Sequence, residues 1–240
     1  MKDNQIIVYT GWTGTTSAFM FQRIIGLHSS QWATAKTAAL AEGMKDGWGL
    51  DDLYKLVRPQ LTEVNRPYTD IKKVLRGFSG WPYNLFWKHV DEDADIDCKF
   101  IHGIKTTESW AEQEIGMQTV RTIPLETFHE HADYIYGSRM DSSSPIEVWQ
   151  MWIDTYKNHN TDIIQYFSDK PDRFLLIDFD VLTNEEKSRK WCEFLEISYS
   201  GQEYPSFGTA EWENITNQRK IQADAYQNLW NSRKPNLNFN

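Results

Sequence analysis

Cysteine is scarce in this chain: Cys98 and Cys192 are the only two in 240 residues, and both sit in apolar stretches. Two such thiols make neither a disulfide framework nor a cysteine-ligated metal site. Positive charge is short as well, with 25 Lys+Arg against 34 Asp+Glu and a net charge of −9. Nucleic-acid binders carry a basic footprint, so that class is excluded. No apolar run reaches the roughly 18 residues that a membrane span needs. Residues 1–5 lead straight into the first strand, with no secretory signal pattern, so the cytoplasm is the expected location. Asn214-Ile215-Thr216 then reads as a chance sequon. His129 and His131 lack a third ligand at a convincing spacing, so no metal is expected. No internal repeat or linker divides the chain, and one domain is expected over residues 1–240, its tail from about residue 218 peripheral.

Aromatic residues are abundant. With 11 Trp, 11 Tyr and 12 Phe in a composition that is 40% hydrophobic, there is material for a large core and for cleft walls. The chain is organised around its first thirty residues. Ile6-Ile7-Val8-Tyr9 is short, apolar and β-branched, the pattern of a buried parallel strand. Gly11 and Gly14 follow, three apart, and then Thr15, Thr16 and Ser17. Phe19, Ile24, Ile25 and Leu27 read as the buried side of a helix. Strand, Gly-rich turn and helix point backbone N–H groups and a positive dipole end at an anion. The loop is not a Walker A motif: the glycines are too close, and no Lys precedes the hydroxyls. Locally the alternative is an ordinary strand-to-helix turn, with Thr or Ser as N-cap.

Downstream, His28 to Met44 reads as an Ala-rich helix ending near Gly43. Residues 47–68 hold a short helix with Leu53, Leu56 and Val57, then a loop around Pro59 and Pro67. Ile71 to Phe78 reads as a second strand, broken by Gly77, Ser79 and Gly80. A helix follows from Trp81, with Pro82 in its first turn and Phe86 and Val90 on one face. Asp91 to Asp97 reads as a solvated acidic loop. Cys98 to Lys105 is a third strand with His102 as a core histidine, and Thr106 or Thr107 caps the next helix. Ser144-Pro145-Ile146-Glu147 is a capping box opening a long helix, whose Trp149, Trp152, Tyr156, Ile163 and Phe167 face a core. Arg173 to Phe179 is a strand. Thr183 to Glu186 caps a final helix with Trp191, Phe194 and Leu195 inward. Alternating strands and helices give an α/β fold with a parallel sheet, the ligand site lying at the carboxyl edge of the strands.

Several blocks, in order, resemble one family. Thr10-Gly11-Trp12-Thr13-Gly14-Thr15-Thr16-Ser17 resembles the 5′-phosphosulfate loop of sulfotransferases that use 3′-phosphoadenosine 5′-phosphosulfate (PAPS), in the branch with a P-R-T-G-T-T-S loop. Gly77 to Trp87 is similar to that branch's strand–D-W-P–helix segment, and Lys99 to Trp110 to its next strand and R-D-P-x-x-W helix start. Arg173 to Asp178, Trp191 to Leu195 and Pro205-Ser206-Phe207 resemble its closing motifs. The resemblance spans Ile6 to Asn217. It implies a three-layer αβα fold with a central parallel sheet, of P-loop NTPase-like type.

The same resemblance implies a transferase that moves a sulfuryl group from PAPS to a hydroxyl or amine of a small-molecule or glycan acceptor, leaving 3′-phosphoadenosine 5′-phosphate (PAP). Trp12, Thr13, Gly14, Thr15, Thr16 and Ser17 then line the 5′-phosphosulfate. Lys105 and Gln113 take the 3′-phosphate positions, where the family has Arg and, eight residues later, Ser. Trp12 stands where the family has a base, and Gly80 stands at the general-base position; Ser79 and Arg76 are its neighbours in sequence. Two alternatives remain open: a non-catalytic PAP- or anion-binding module, and a kinase-like NTPase, against which the absent loop Lys speaks. Trp81 to Trp87 and Phe128 to Tyr136 are the expected acceptor side.

Overall fold

The computed structural model describes residues 5–31, 43, 46–62, 76–80, 82–120, 145–206, 228 and 231–240. The strands are β1 (Ile6–Tyr9), β2 (Ser29–Gln31), β3 (Gly77–Ser79), β4 (Cys98–Ile104) and β5 (Phe174–Asp178). The helices are α1 (Thr15–Ile24), α2 (Leu50–Thr62), α3 (Trp87–Glu92), α4 (Thr107–Val120), α5 (Pro145–Tyr166) and α6 (Asn184–Phe194). Two compact units result, one from Met1–Ile104 with Ile164–Phe207, the other from Lys105–Ile163 with Gly208–Asn240.

The first unit holds a five-stranded sheet in the order β2-β3-β1-β4-β5, parallel at every pairing. β1 lies at its centre, and its four apolar residues are all buried. Register decides which side chains share a face. Val8 pairs with Phe78 and Phe100, and on that face Phe78 meets Tyr83 at 5.0 Å and Phe100 meets Phe167 at 4.8 Å. Tyr54 of α2 adds to this layer, 5.7 Å from Phe86. On the other face Ile7, Tyr9, Ile101 and Ile177 pack with Ala18 and Phe21 of α1 and with Trp191 and Cys192 of α6. Helices therefore cover both faces, which is the expected αβα layering.

Several local expectations are corrected. The buried stripe of α1 is Ser17, Ala18, Phe21 and Gln22, whereas Ile24 is 47% exposed. Gly26, at φ 87, ends α1: its N–H reaches the Arg23 carbonyl and that of Leu27 the Gln22 carbonyl, so Leu27 is buried from beyond the helix. Ser29–Gln31 is a strand instead of the start of the Ala-rich helix, whose residues 32–42 lie outside the described residues. α2 runs through Pro59, because Leu53, Val57 and Leu61 keep one apolar stripe across it. The second strand is only Gly77–Ser79, with residues 63–75 outside the described set. Gly77 belongs inside it, since a Cβ there would stand 2.5 Å from Gln22 Oε1 and 2.9 Å from Ser29 Cβ. Residues 82–85 form turns, and the helix begins at Trp87.

The acidic stretch is not simply solvated. The Asp91 side chain is 3% exposed and pairs with Lys170 at 2.8 Å and Arg173 at 2.7 Å, while Tyr166 donates to it at 2.9 Å. Asp93 accepts from Arg58 Nε at 2.5 Å and Nη2 at 3.0 Å and from the Tyr54 hydroxyl at 3.0 Å. Buried carboxylates persist only when paired in this way.

In the second unit, α5 buries Trp149, Trp152, Tyr156 and Ile163 as the spacing predicts. Tyr156 stacks on Trp110 of α4, with centroids 4.1 Å apart and planes 4° from parallel. The C-terminus is tied back to α5, where Gln150 donates to the Asn238 carbonyl at 3.1 Å and accepts from its N–H at 2.8 Å. In the first unit α6 carries the expected capping box between Thr183 and Glu186.

Phe21→Ala empties a site between Trp191 (5.6 Å) and Tyr204 (5.0 Å). The expected loss is about 3–5 kcal/mol, read from urea unfolding. The Arg58 guanidinium holds the Asp93 carboxyl below its ordinary value. A lowered folded pKa means that the pair stabilises above the unfolded value of about 4 and that this is lost as pH falls through the folded one. Asp93→Asn should therefore flatten the decline of stability below about pH 4 in acid titrations of the unfolding midpoint; an unchanged slope contradicts the assignment.

Candidate functional site

β1 delivers the chain to the carboxyl edge of the sheet, where the connection to α1 lies directly on β4. Thr10 N–H bonds to the Ile101 carbonyl at 3.0 Å, and Thr10 Oγ1 is 2.9 Å from Nδ1 of the buried core residue His102. A Cβ on Gly11 would stand 2.6 Å from the Gly103 carbonyl oxygen, so this close approach requires glycine. Gly14 (φ 65, ψ 18) is the N-cap of α1, and no side chain caps the helix. Thr15, Thr16 and Ser17 thus form the first turn instead of the cap. The first helical bond runs from Ala18 N–H to Gly14 O at 2.8 Å. Its first turn holds no acidic residue. Thr13 and Ser17 are buried, Trp12, Gly14 and Thr15 are half-buried, and Thr16 is exposed.

Aromatic rings support this loop from below. A Cβ on Gly14 would come within 2.4 Å of the Phe179 ring, and one on Gly103 within 2.5 Å of the same ring. The Tyr9 hydroxyl donates to the Thr13 carbonyl at 2.5 Å. Lys187 of α6 is 7% exposed, with its Nζ 4.9 Å from the Phe179 ring centroid. It contributes a buried cation to the unit that carries the loop. Tyr9, Phe179 and Lys187 were not legible as site residues: Tyr9 reads as the end of a core strand, Phe179 as strand, and Lys187 as part of a polar helix start.

Topology marks the same edge. The connection after β1 leads toward β2 on one side, and the chain after β4 goes on to β5 on the other. β1 and β4 are neighbours, so the two connections diverge between them, and such a switch point is where open α/β sheets bind ligands.

Gly80, at the position expected for a general base, has φ 77. Ser79 Oγ is buried and has no hydrogen-bond partner among the described residues. It shares the α1 face with Tyr9, its register partner. Arg76 lies at the opposite edge, its Nε donating to the Gln5 carbonyl at 3.3 Å, so its nearness in sequence does not bring it to the loop. Trp81 and Phe128 to Tyr136, on the expected acceptor side, lie outside the described residues.

In the second unit, Thr106 caps α4: its Oγ1 accepts from Ser109 N–H at 3.3 Å and its carbonyl from Trp110 N–H at 2.9 Å. Lys105 Nζ donates to Gln113 Oε1 at 2.7 Å, so the pair eight residues apart meets in space. The Tyr156 hydroxyl accepts from the Lys105 N–H at 2.9 Å and donates to the Lys105 carbonyl at 3.0 Å, which fixes the backbone of this lysine.

No family model and no curated protein matches this chain. Among solved structures it is similar to the crystal structure of a sulfotransferase from Alicyclobacillus acidocaldarius, at 13% identity over 95% of this chain and 96% of that one, with a TM-score of 0.43. A likeness of that size carries no functional weight.

Among the described residues no three His, Cys, Asp or Glu side chains could hold a metal ion together, and His129 and His131 lie outside that set. No described helix is long and apolar enough to cross a membrane. Cys98 and Cys192 are buried and form no disulfide, and burial pushes both thiols up.

Gly14→Ala meets both a left-handed backbone, worth roughly 1–2 kcal/mol, and the Phe179 ring. Gly26→Ala meets a left-handed backbone with nothing within 4 Å. Gly14→Ala should therefore lower the melting temperature more than Gly26→Ala does; equal losses would remove the Phe179 contact as a constraint.

Proposed function

We propose that this chain is a PAPS-dependent sulfotransferase. The observation that carries the reading is the uncapped start of α1 at left-handed Gly14, on the carboxyl edge of a parallel sheet. Such a start offers backbone N–H groups and the positive end of a helix dipole to an oxyanion. Trp12, Thr13, Gly14, Thr15, Thr16 and Ser17 are assigned to the 5′-phosphosulfate. Lys105 and Gln113 are assigned to the 3′-phosphate, on the strength of their mutual 2.7 Å bond. The two sets belong to different units, and each assignment stands on its own geometry. Lys105 acts there as a point charge in place of the bidentate fork of an arginine, and Gln113 keeps its amide N–H donors.

The donor supplies an activated sulfuryl group. An acceptor hydroxyl or amine forms a new bond to sulfur as the bond from sulfur to the 5′-phosphate oxygen breaks, in line. The acceptor proton passes to solvent water, and PAP leaves. The residues of this chain contribute positioning and charge neutralisation, on which the related phosphoryl transfers chiefly rely. The reading needs no metal. The acceptor belongs to the small-molecule or glycan class, and the reaction is placed in the cytoplasm.

A second reading is a non-catalytic PAP- or anion-binding module. Trp12 at the family's basic loop position and Gly80 at its general-base position favour it, since neither side chain can neutralise a leaving group or take a proton. Turnover against a panel of hydroxyl and amine acceptors separates the two.

Calorimetric titration with PAP, with ADP and ATP–Mg²⁺ as controls, is the direct test. Selective PAP binding is expected. Lys105→Ala should weaken it by about 1.5–3 kcal/mol, the scale of a charge-assisted hydrogen bond. Unchanged affinity in the variant refutes the 3′-phosphate assignment, and absence of PAP binding by the wild type refutes the cofactor.

A further inference from the structure

We propose that Tyr9 is the positioning residue that sets the Thr13–Gly14 peptide for oxyanion binding; the inference rests on the anion-loop reading above. Tyr9 closes β1, is fully buried, and lies beside Trp191 with ring centroids 6.2 Å apart and planes 20° from parallel. Its hydroxyl donates to the Thr13 carbonyl at 2.5 Å. A trans peptide is planar, so the C=O of Thr13 and the N–H of Gly14 point in opposite directions. Drawing that carbonyl toward Tyr9 turns the Gly14 N–H away from it, at the start of the helix. Gly14 by itself does not hold this peptide. Glycine takes positive and negative φ about equally well, so a flip that would present the carbonyl to an anion is inexpensive there. The Tyr9 hydroxyl supplies the missing restraint.

The surroundings are shaped to admit that hydroxyl. A Cβ at Gly103 would lie 1.8 Å from the Tyr9 hydroxyl, and one at Gly11 would lie 2.9 Å from it. Two absent side chains, on the loop and on the neighbouring strand, make the slot into which the phenol oxygen fits. A phenylalanine would fill the same ring site and leave the Thr13 carbonyl without this donor.

Tyr9→Phe tests the role. In the unliganded protein, the Gly14 amide nitrogen should move upfield in ¹⁵N spectra, because the preceding carbonyl loses its donor. In calorimetry, affinity for PAP should fall at least about tenfold, the loss of one charge-assisted bond. Adenosine 3′-phosphate, which has no 5′ anion, should bind the variant and the wild type equally. The melting temperature should drop by no more than about 2–4 °C. Equal loss of both ligands would mean general damage and overturn the positioning role. Undiminished PAP affinity, or an unmoved Gly14 resonance, overturns that role alone. Wild-type protein that binds no PAP overturns the cofactor reading and takes this role with it.

Discussion

The contact on which the candidate site depends is between two stretches of backbone. Gly11 and Gly103 have no side chains, so the connection leaving β1 rests directly on β4. Any Cβ at Gly11 would collide with the β4 backbone and lift the connection off the sheet. That close seat lets the Thr10 N–H reach Ile101, puts Thr10 against His102, and opens the slot for the Tyr9 hydroxyl. Gly14 then turns left-handed over Phe179 and starts α1 with no side-chain cap hydrogen bond among the described residues. Parallel pairing of β1 with β3 and β4 supplies the rigid floor. Sites built on such elements hold their geometry better than sites on loops alone.

Charge is distributed around this frame with little to spare. The protein carries a net charge of −9, and in the first unit Arg58, Lys170 and Arg173 are paired with Asp93 and Asp91. Those pairs join α2, α3 and the approach to β5. They hold the layers together, while α1 carries a dipole equivalent to about half a charge at its start and Lys187 lies buried on the Phe179 ring. In the second unit Lys105 is held by its backbone through Tyr156 and by its ammonium through Gln113, and Tyr156 is held in turn by stacking on Trp110. Aromatic residues thus hold the Lys187 ammonium, through the Phe179 ring, and the Lys105 backbone, through the Tyr156 hydroxyl.

What could be read along the chain follows from local chemistry. Four consecutive apolar residues marked β1 as buried on both faces; Thr183 and Glu186 marked the start of α6; and Trp149, Trp152 and Tyr156 marked the inward stripe of α5. These signals lie within a turn or two of the residues they describe. Expectations failed where a distant partner outweighed the local pattern. Asp91 and Asp93 sit in an acidic run that reads as solvated, yet Lys170, Arg173 and Arg58 bury them. Ser29–Gln31 has no β-branched residue and still forms an edge strand, because β3 offers it a ladder. Pro59 reads as a helix end, and the stripe through Leu61 carries the helix past it.

The amino-acid sequence by itself determined the α/β class, the parallel sheet, the Gly-rich turn after the first strand and the Lys105–Gln113 spacing, because periodicity, glycine placement and capping are properties of short segments. Only the tertiary structure decided that Gly14 instead of a hydroxyl residue caps α1, that Arg76 faces the far edge of the sheet, and that Tyr9 and Phe179 lie against the loop. Those outcomes depend on strand register and on which helices cover which face. Contacts such as those of Gly14 with Phe179 and of Thr10 with His102 join residues far apart in the chain, and no local pattern encodes them.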